Sequence, residues 1–270
     1  MPAVAHVADT VNATFAQRLA TQAQAALIRH VYRRALAAVP SRDEVGRLSP
    51  AQRAVLFDVA AKAAFFTADA QASQTARLVH TIMAGRGETR PAQDGLLLSA
   101  LLMAGDVDAA RQLPGVVIPA GLANTDSAQR SPVWELASDG STFQRAAPLG
   151  PDASFLLLIS SPYCHFSEHA LAALSKVSAL AGKVYLLNKF DSNFNLDDFR
   201  AWSQRYTAGR AGLILNYNGW DEWASTDTPS FYFYRQGVLV YRFSGWPQEG
   251  NMPLLQAGLR RMGLPEPATP

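Results

Sequence analysis

The chain has 270 residues, of which 49% are apolar and 17% charged, a balance that is typical of a folded protein and excludes a disordered or fibrous one. Its 24 basic and 22 acidic residues give a formal charge of +2, and no run of Lys or Arg builds the positive face that nucleic acid requires, so no nucleic-acid partner is expected. The longest apolar runs fall well short of the roughly 20 residues that cross a bilayer, so no transmembrane segment is predicted.

The length favours two compact domains. We predict a helical domain over residues 1–113, a linker over 114–130 and an α/β domain over 131–270. The opening MPAVAHVADT has no basic residue followed by an apolar core, so we expect a cytoplasmic protein, or a periplasmic one if the true start lies upstream. The single cysteine, Cys164, excludes an internal disulfide and any multi-cysteine zinc or iron–sulfur site, and no cofactor or metal is predicted.

The first domain is rich in Ala, Leu, Gln and Arg, which are strong helix formers, and we predict that it is helical throughout. Its first helix ends at Pro40 and carries apolar residues near one face, namely Val11, Phe15, Leu19, Leu27 and Val31. In the second helix Ser49 is a cap, Pro50 suits the first turn, and Gln52 completes a capping box. The predicted buried stripe of that helix is Val55, Val59, Ala63 and Phe66.

Two further helical segments are predicted at Gln93–Ala104 and Val107–Leu113, separated by Gly105 as a stop and Asp106 as a cap. This pairing indicates a small antiparallel bundle, and no self-similarity with the period of tetratricopeptide repeats supports a repeat array. Because the domain has no cluster of catalytic residue types, we expect it to dock or scaffold a protein partner.

Strands replace helices after the linker. VWELASDGSTFQ has two short extended runs around Asp139-Gly140, which is a strong hairpin signal. Phe155–Ile159, FLLLI, is a continuous apolar run that is typical of a strand covered on both faces. The segment SPYCHFSEHALAALSKVSAL follows it and has apolar residues at helical spacing, at Leu171, Leu174, Val177 and Leu180.

Cys164 therefore lies where a buried strand passes into a helix. The N–H groups and dipole of a helix N-terminus stabilise a thiolate and lower its pKa, which favours a nucleophilic role for this sulfur. The alternative is a small buried cysteine that fills a gap in the core.

The rest of the chain continues the strand and helix pattern. KVYLLNKFD and GLILNYN are predicted strands, with LDDFRAWSQRY as an amphipathic helix between them. After Thr228-Pro229, SFYFYRQGVLVYRF is typical of two alternating strands joined at Gln236-Gly237, and Leu254–Met262 is the closing helix.

In this order of elements, residues 131–264 resemble the thioredoxin-like superfamily, and especially its TlpA/ResA-type thiol-disulfide oxidoreductases. YCHFSEHALAAL resembles the motif WCxxCxxELPxL, with Tyr163 in place of the aromatic residue, Cys164 at the first cysteine and Ser167 at the second. The two leucines of the motif correspond to Leu171 and Leu174. The segment TDTPSFYFYRQGVLVYRFSGW resembles the family's cis-proline strand, hairpin and following glycine, at Pro229 and Gly245.

The resemblance implies a thioredoxin-like α/β domain, with a central mixed sheet flanked by helices and an N-terminal β-hairpin extension. This domain follows the all-α N-terminal domain that the composition predicts. CHFS retains one sulfur, and no acidic residue lies in strand 155–159, so dithiol cycling within one chain is excluded. A second register is open, because SPYCH also resembles the CPYCH of bacterial disulfide isomerases. Ser161 would then replace the attacking cysteine, and Cys164 would be the recessed partner of an inactive site.

The resemblance implies that Cys164 attacks a protein or small-molecule disulfide and that an external thiol releases the product. Ser167 would hydrogen-bond the thiolate, and a protonated His165 would keep it ionised. The predicted substrate-binding residues are Tyr163, Thr228, Pro229 and Trp220. Trp220, Trp223, Tyr232 and Tyr234 form an aromatic cluster that fits either a peptide groove or the core.

Three other functions stay open. A non-catalytic adaptor or assembly protein would keep the fold only for binding. A one-cysteine peroxidase is suggested by Ser161-x-x-Cys164, although Leu157 stands where a proline is expected. A metal chaperone is suggested by His165 and His169, which are four residues apart beside the cysteine.

Overall fold

The structure is a computed structural model that describes residues 9, 21–126, 132–147, 153–190, 194–205, 209–216 and 228–265. The chain divides into two compact units. The first comprises Met1–Ile118, Leu122–Ser131 and Leu215–Ala224, and the second comprises Pro119–Gly121, Pro132–Ile214 and Ser225–Pro270.

The described part of the first unit is helical, as predicted. Its helices are α1 (Thr21–Ala35), α2 (Arg42–Gly46), α3 (Pro50–Thr67), α4 (Ala70–Ala84), α5 (Pro91–Met103) and α6 (Val107–Arg111). Helix α4 was not predicted as a separate element. None of the described helices is both long and apolar enough to span a bilayer.

The predicted helix boundaries are confirmed where capping residues define them. Ser49 accepts a hydrogen bond from the Gln52 N–H at 3.3 Å, and the Gln52 side chain accepts from the Ser49 N–H at 2.9 Å. Asp106 caps α6 by accepting from the Ala109 N–H at 3.0 Å. Gly105 ends the preceding helix with φ +80°, a conformation that glycine adopts without steric cost.

The predicted buried stripe of α3 is partly wrong. Val59 and Ala63 are buried, but Val55 is 41% exposed and Phe66 is half-buried. The core positions that replace them include Leu56, Phe57, Ala60, Ala61 and Ala64. The cause is that α3 packs against α1, α4 and α5, so a stripe facing a single neighbour does not describe its burial.

Part of the predicted linker is bonded to α6. Leu122 is 2% exposed and its carbonyl accepts from the Arg111 guanidinium. The Asn124 side chain accepts from the Asp108 N–H at 2.9 Å and donates to the Asp108 carboxylate at 3.0 Å. These bonds fix residues 122–124 against the last helix of the first unit.

The second unit contains a mixed sheet flanked by helices. Its strands are β1 (Trp134–Leu136), β2 (Phe143–Arg145), β3 (Phe155–Ile159), β4 (Val184–Lys189), β5 (Gly209–Ile214), β6 (Ser230–Arg235) and β7 (Val238–Ser244). Its helices are α7 (His165–Leu174), α8 (Leu196–Arg205) and α9 (Met252–Met262), with a 3₁₀ turn at Ser178–Leu180. Among the described residues the strand order is β2-β1-β5-β4-β3-β6-β7.

Both predicted hairpins are present. Asp139 turns the chain between β1 and β2 by accepting the Ser141 and Thr142 N–H groups at 2.8 and 3.0 Å, and these bonds lower the pKa of the Asp139 carboxyl to about 2. At the β6–β7 turn Gln236 and Gly237 both have positive φ, the conformation that a two-residue hairpin turn needs.

The register of the central strands brings distant parts of the chain together. β3 runs parallel to β4 and antiparallel to β6, and Leu156 to Ile159 are almost completely buried between the layers. Ile159, the last residue of β3, pairs with Ser230, the first residue of β6. The segment after β3 and the segment before β6 are therefore neighbours, although they are about 65 residues apart in the sequence.

Candidate functional site

Cys164 is the N-cap residue of α7, at the position that the sequence predicts. Its backbone is extended, with φ −105° and ψ 108°, and its carbonyl accepts from the Glu168 N–H at 3.1 Å, the first bond of the helix. Its N–H donates to the Ser161 carbonyl at 3.2 Å, which closes the turn between β3 and the helix. The side chain is half-buried, so the sulfur is accessible without being fully solvated.

The Thr228 carbonyl oxygen lies opposite the sulfur, 3.3 Å from Cys164 Sγ, and accepts a hydrogen bond from the thiol. The peptide bond from Thr228 to Pro229 is cis, and Pro229 is buried. The Gly245 N–H donates to the Pro229 carbonyl at 2.8 Å, so the end of β7 holds this loop. The structure thus brings together Cys164, Thr228 and Pro229, three of the predicted site residues.

Ser167 lies in the first turn of α7, beneath the cysteine, and is completely buried. Its hydroxyl oxygen accepts from the Ser161 N–H at 3.4 Å. Because the oxygen is used as an acceptor there, the hydroxyl hydrogen can be donated to the sulfur of Cys164.

Opposing effects act on the Cys164 thiol. Partial burial raises its pKa. Hydrogen bonds lower it, and they come from the Thr228 side chain, the Ser167 hydroxyl and the backbone N–H groups of Ser167 and Phe166. The net result is a pKa below the ordinary thiol value. The bond from the thiol to the Thr228 carbonyl exists only in the protonated form. On ionisation this bond is lost, and the Thr228 side chain and the donors at the helix N-terminus stabilise the thiolate.

His165 is the first residue of α7 and is exposed to solvent. Its ring lies against that of Phe166, with the centroids 3.8 Å apart, and the His169 ring lies 6.0 Å away. His165 is not among the groups that set the Cys164 pKa. In the described part of the chain, no group of three or more His, Cys, Asp or Glu side chains is arranged to hold a metal ion.

Tyr163 precedes the cysteine and is 52% exposed. Its N–H donates to the Ser161 hydroxyl at 3.2 Å, and its own hydroxyl donates to the Asp198 carboxylate of α8 at 3.1 Å. Tyr163 is therefore fixed at the rim of the site. The predicted substrate-binding residue Trp220 lies outside the described residues, and so does Trp223.

Two residues of this site were missed at the sequence level. Asp198 is 35 positions from Tyr163, and no local pattern connects them. Phe166 is 41% exposed beside the cysteine. The signal that could have identified it is helical periodicity, because Phe166 lies next to the buried face of α7, which consists of Ser167, Ala170, Leu171 and Leu174.

The second unit thus has a thioredoxin-like fold. β3-α7-β4 and the β6–β7 hairpin, followed by α9, contribute to one mixed sheet flanked by helices, and the cis-proline loop lies beside Cys164, the N-cap residue of α7. This confirms the predicted fold class for this part of the chain.

No protein-family model matches the chain, and no curated protein sequence matches it. Among solved structures it is similar to a secreted Mycobacterium tuberculosis disulfide oxidoreductase homologous to E. coli DsbE, at 15% identity over 51% of this chain and 98% of the other, with a TM-score of 0.36. A thio-disulfide isomerase from Thermus thermophilus matches at 12% identity over 55% and 99% of the two chains, with a TM-score of 0.37. A thioredoxin-like protein from Bacteroides caccae matches at 13% identity over 74% and 76%, with a TM-score of 0.31.

Proposed function

We propose that the protein carries out monothiol thiol–disulfide exchange through Cys164, acting on protein or small-molecule disulfides. The observation that carries this proposal is the position of the sulfur, which caps α7, is half-buried and lies 3.3 Å from the Thr228 carbonyl. A cysteine that only filled a gap in the core would need none of these features.

The proposed reaction has two steps that balance. The Cys164 thiolate attacks one sulfur of an incoming disulfide, a new S–S bond forms to Cys164, and the second sulfur leaves as a thiolate. An external thiolate, such as that of glutathione, then attacks the mixed disulfide and restores the Cys164 thiolate. The number of disulfides is unchanged, so the outcome is exchange or isomerisation and no other oxidant is required.

The proposed roles of the surrounding residues follow from their contacts. Ser167 and the first N–H groups of α7 stabilise the attacking thiolate. The Thr228 carbonyl and the loop of Pro229 form the wall against which an extended substrate lies. Tyr163, fixed by Asp198, forms the exposed rim of the site.

We also propose that the CHFS segment aligns with the TlpA/ResA-type motif, so that Cys164 occupies the position of the attacking cysteine. Support comes from accessibility, because Cys164 is half-buried whereas Ser167 is completely buried. In that register the buried Ser167 takes the place of the recessed second cysteine. The alternative register would require Cys164 to be the recessed sulfur.

The test compares the reactivity of Cys164 in the native and unfolded protein. We expect iodoacetamide to alkylate the native thiol faster than the urea-unfolded thiol at pH 6. At a pH below the ordinary cysteine pKa of about 8.5, the thiol with the lowered pKa has the larger thiolate fraction. The advantage should disappear above the unfolded pKa, where both thiols are ionised. The wild-type protein should also catalyse exchange between a peptide disulfide and reduced glutathione, and C164S should not.

The alternative function is a non-catalytic adaptor, and the exposed Tyr163 and Phe166 beside the sulfur favour it as a binding surface. A native thiol that reacts no faster than the unfolded one, together with equal exchange rates for wild type and C164S, would exclude the catalytic proposal and leave the adaptor.

A further inference from the structure

The rim of the Cys164 site contains a carboxylate that is not paired with a cation. Asp198 lies in the first turn of α8, is exposed, and accepts a hydrogen bond from the Tyr163 hydroxyl at 3.1 Å. Tyr163 directly precedes Cys164, so this bond places a carboxylate at the edge of the site. Among the residues that the structure describes, Asp198 forms no ion pair, and its carboxylate has this neutral phenol as its bonding partner.

The other charged side chains of the two helices beside the site are paired with one another. Helices α7 and α8 together carry three carboxylates and two guanidinium groups. Asp197 pairs with Arg200 at 2.7 Å, and Glu168 pairs with Arg205 at 3.4 Å. The charge that these two helices leave uncompensated is therefore that of Asp198.

Arg200, the cation nearest to Asp198 in the sequence, faces away from it. Two residues of an α-helix are about 200° apart around its axis, because each turn has 3.6 residues. The Arg200 guanidinium donates to the Gly140 carbonyl in the β1–β2 turn. The Asp198 carboxylate is therefore open to a cation that comes with the substrate.

Two exposed aromatic rings lie at the same site. Tyr163, before the cysteine, is 52% exposed, and Phe166, after it, is 41% exposed. A guanidinium group can stack on an aromatic face and also donate hydrogen bonds to a carboxylate, whereas the ammonium of lysine is a compact point charge. Because the Tyr163 hydroxyl is bonded to Asp198, the ring and the carboxylate are close enough for one arginine side chain to contact both.

We infer that the Cys164 site prefers disulfides in which an arginine is next to the substrate cysteine, and that Asp198 is the residue that determines this preference. The inference rests on the proposed function, because it names the substrate chemistry of the same sulfur.

The test measures a single exchange reaction with two matched peptides, acetyl-Ala-Arg-Cys-Ala-amide and acetyl-Ala-Gln-Cys-Ala-amide, whose cysteines are disulfide-bonded to thionitrobenzoate. The Cys164 thiolate attacks the peptide sulfur, and thionitrobenzoate leaves with the electron pair of the broken S–S bond and is measured by its absorbance. Each rate constant is divided by that of the urea-unfolded chain with the same peptide, which removes differences in intrinsic peptide reactivity. On this scale the Arg peptide should react about three- to fivefold faster than the Gln peptide, and the preference should weaken as salt is raised.

Two variants separate the role of Asp198 from a general effect of charge. D198N removes the carboxylate but retains the size of the side chain, and it should lower the preference for the Arg peptide to below about twofold. D197N is the matched control, because it removes the same charge from the adjacent residue, which is paired with Arg200. It should retain the wild-type preference.

Three results would overturn the inference while exchange itself is retained: equal normalised rates for the two peptides in wild type, the same preference in D198N as in wild type, or an equal loss of preference in D197N and D198N. A native protein that reacts with neither peptide faster than the unfolded chain does would contradict the proposed function, and the inference with it.

Discussion

The sulfur of Cys164 is subject to two opposed influences that depend on its protonation state. The Thr228 carbonyl accepts from the thiol at 3.3 Å, which favours the protonated form, whereas the Thr228 side chain and the donors at the N-terminus of α7 favour the thiolate. The pKa of Cys164 is lowered, so these donors outweigh the effect of partial burial, which raises it. Two of these donors, Thr228 and Ser167, are side chains that a substitution can remove, and Ser167 is the one that lies within α7.

We expect S167A to raise the Cys164 pKa toward its ordinary value, because the buried hydroxyl that stabilises the thiolate is lost. Iodoacetamide alkylation of the native protein at pH 6 should slow by about three- to tenfold, the effect of one hydrogen bond worth about 1 kcal/mol. S175A is the matched control, because Ser175 lies just after the same helix and its hydroxyl donates to the Ala172 carbonyl at 2.9 Å, away from the sulfur. An alkylation rate in S167A equal to that of wild type and S175A would show that Ser167 does not act on the sulfur.

The site could be predicted from the sequence only in part. The position of Cys164 at the start of a helix follows from the apolar run Phe155–Ile159 and the helical spacing after it, and both elements are present. The contact with Asp198 could not be predicted, because it depends on where α8 packs and not on any local pattern.

Helices and strands differ in how well their burial follows from sequence. The strand β3 is a continuous apolar run and is buried as such a run predicts. The strand β6 was predicted to alternate, but it is buried at five consecutive residues from Ser230 to Tyr234. Helix α3 has apolar residues on nearly all sides and is enclosed by three other helices, so periodicity did not identify which residues face the core. Val55, predicted to be buried, is 41% exposed for this reason.

The packing of α9 on β6 depends on a glycine that the sequence pattern did not single out. A Cβ atom at Gly258 would overlap the ring of Phe233, which is itself completely buried. Alanine is favoured over glycine inside a helix by about 0.5 to 1 kcal/mol, but overpacking a core costs about 1 to 3 kcal/mol. The steric cost is the larger of the two effects.

We therefore expect G258A to lower the free energy of unfolding by about 1 to 2 kcal/mol, measured by urea denaturation. F233L, which shortens the opposing ring, should cost less stability in the G258A background than in wild type, because it relieves the overlap. Strictly additive effects of the two substitutions, or a G258A protein that is more stable than wild type, would contradict the close packing of α9 against Phe233.

Because the chain has a single cysteine in 270 residues, the way in which a bound substrate can be released from the mixed disulfide is restricted. A second cysteine one helical turn into α7 would release a bound substrate by forming an internal disulfide, but Ser167 occupies that position and cannot do so. Release therefore depends on a thiol from outside the chain. The lifetime of the mixed disulfide is therefore determined by the concentration of external thiol.

We expect the reduced protein, mixed with oxidised glutathione and then freed of small molecules, to carry one glutathione per chain by mass spectrometry. This adduct should persist without added thiol, because the chain has no second cysteine thiol to displace it, and should disappear when reduced glutathione is returned. S167C is the decisive comparison: a sulfur at residue 167, beneath Cys164, should discharge the adduct spontaneously and leave an internal disulfide. If the wild-type adduct decays as fast as that of S167C, or if none forms under conditions that modify the unfolded chain, the native sulfur does not act by the proposed exchange.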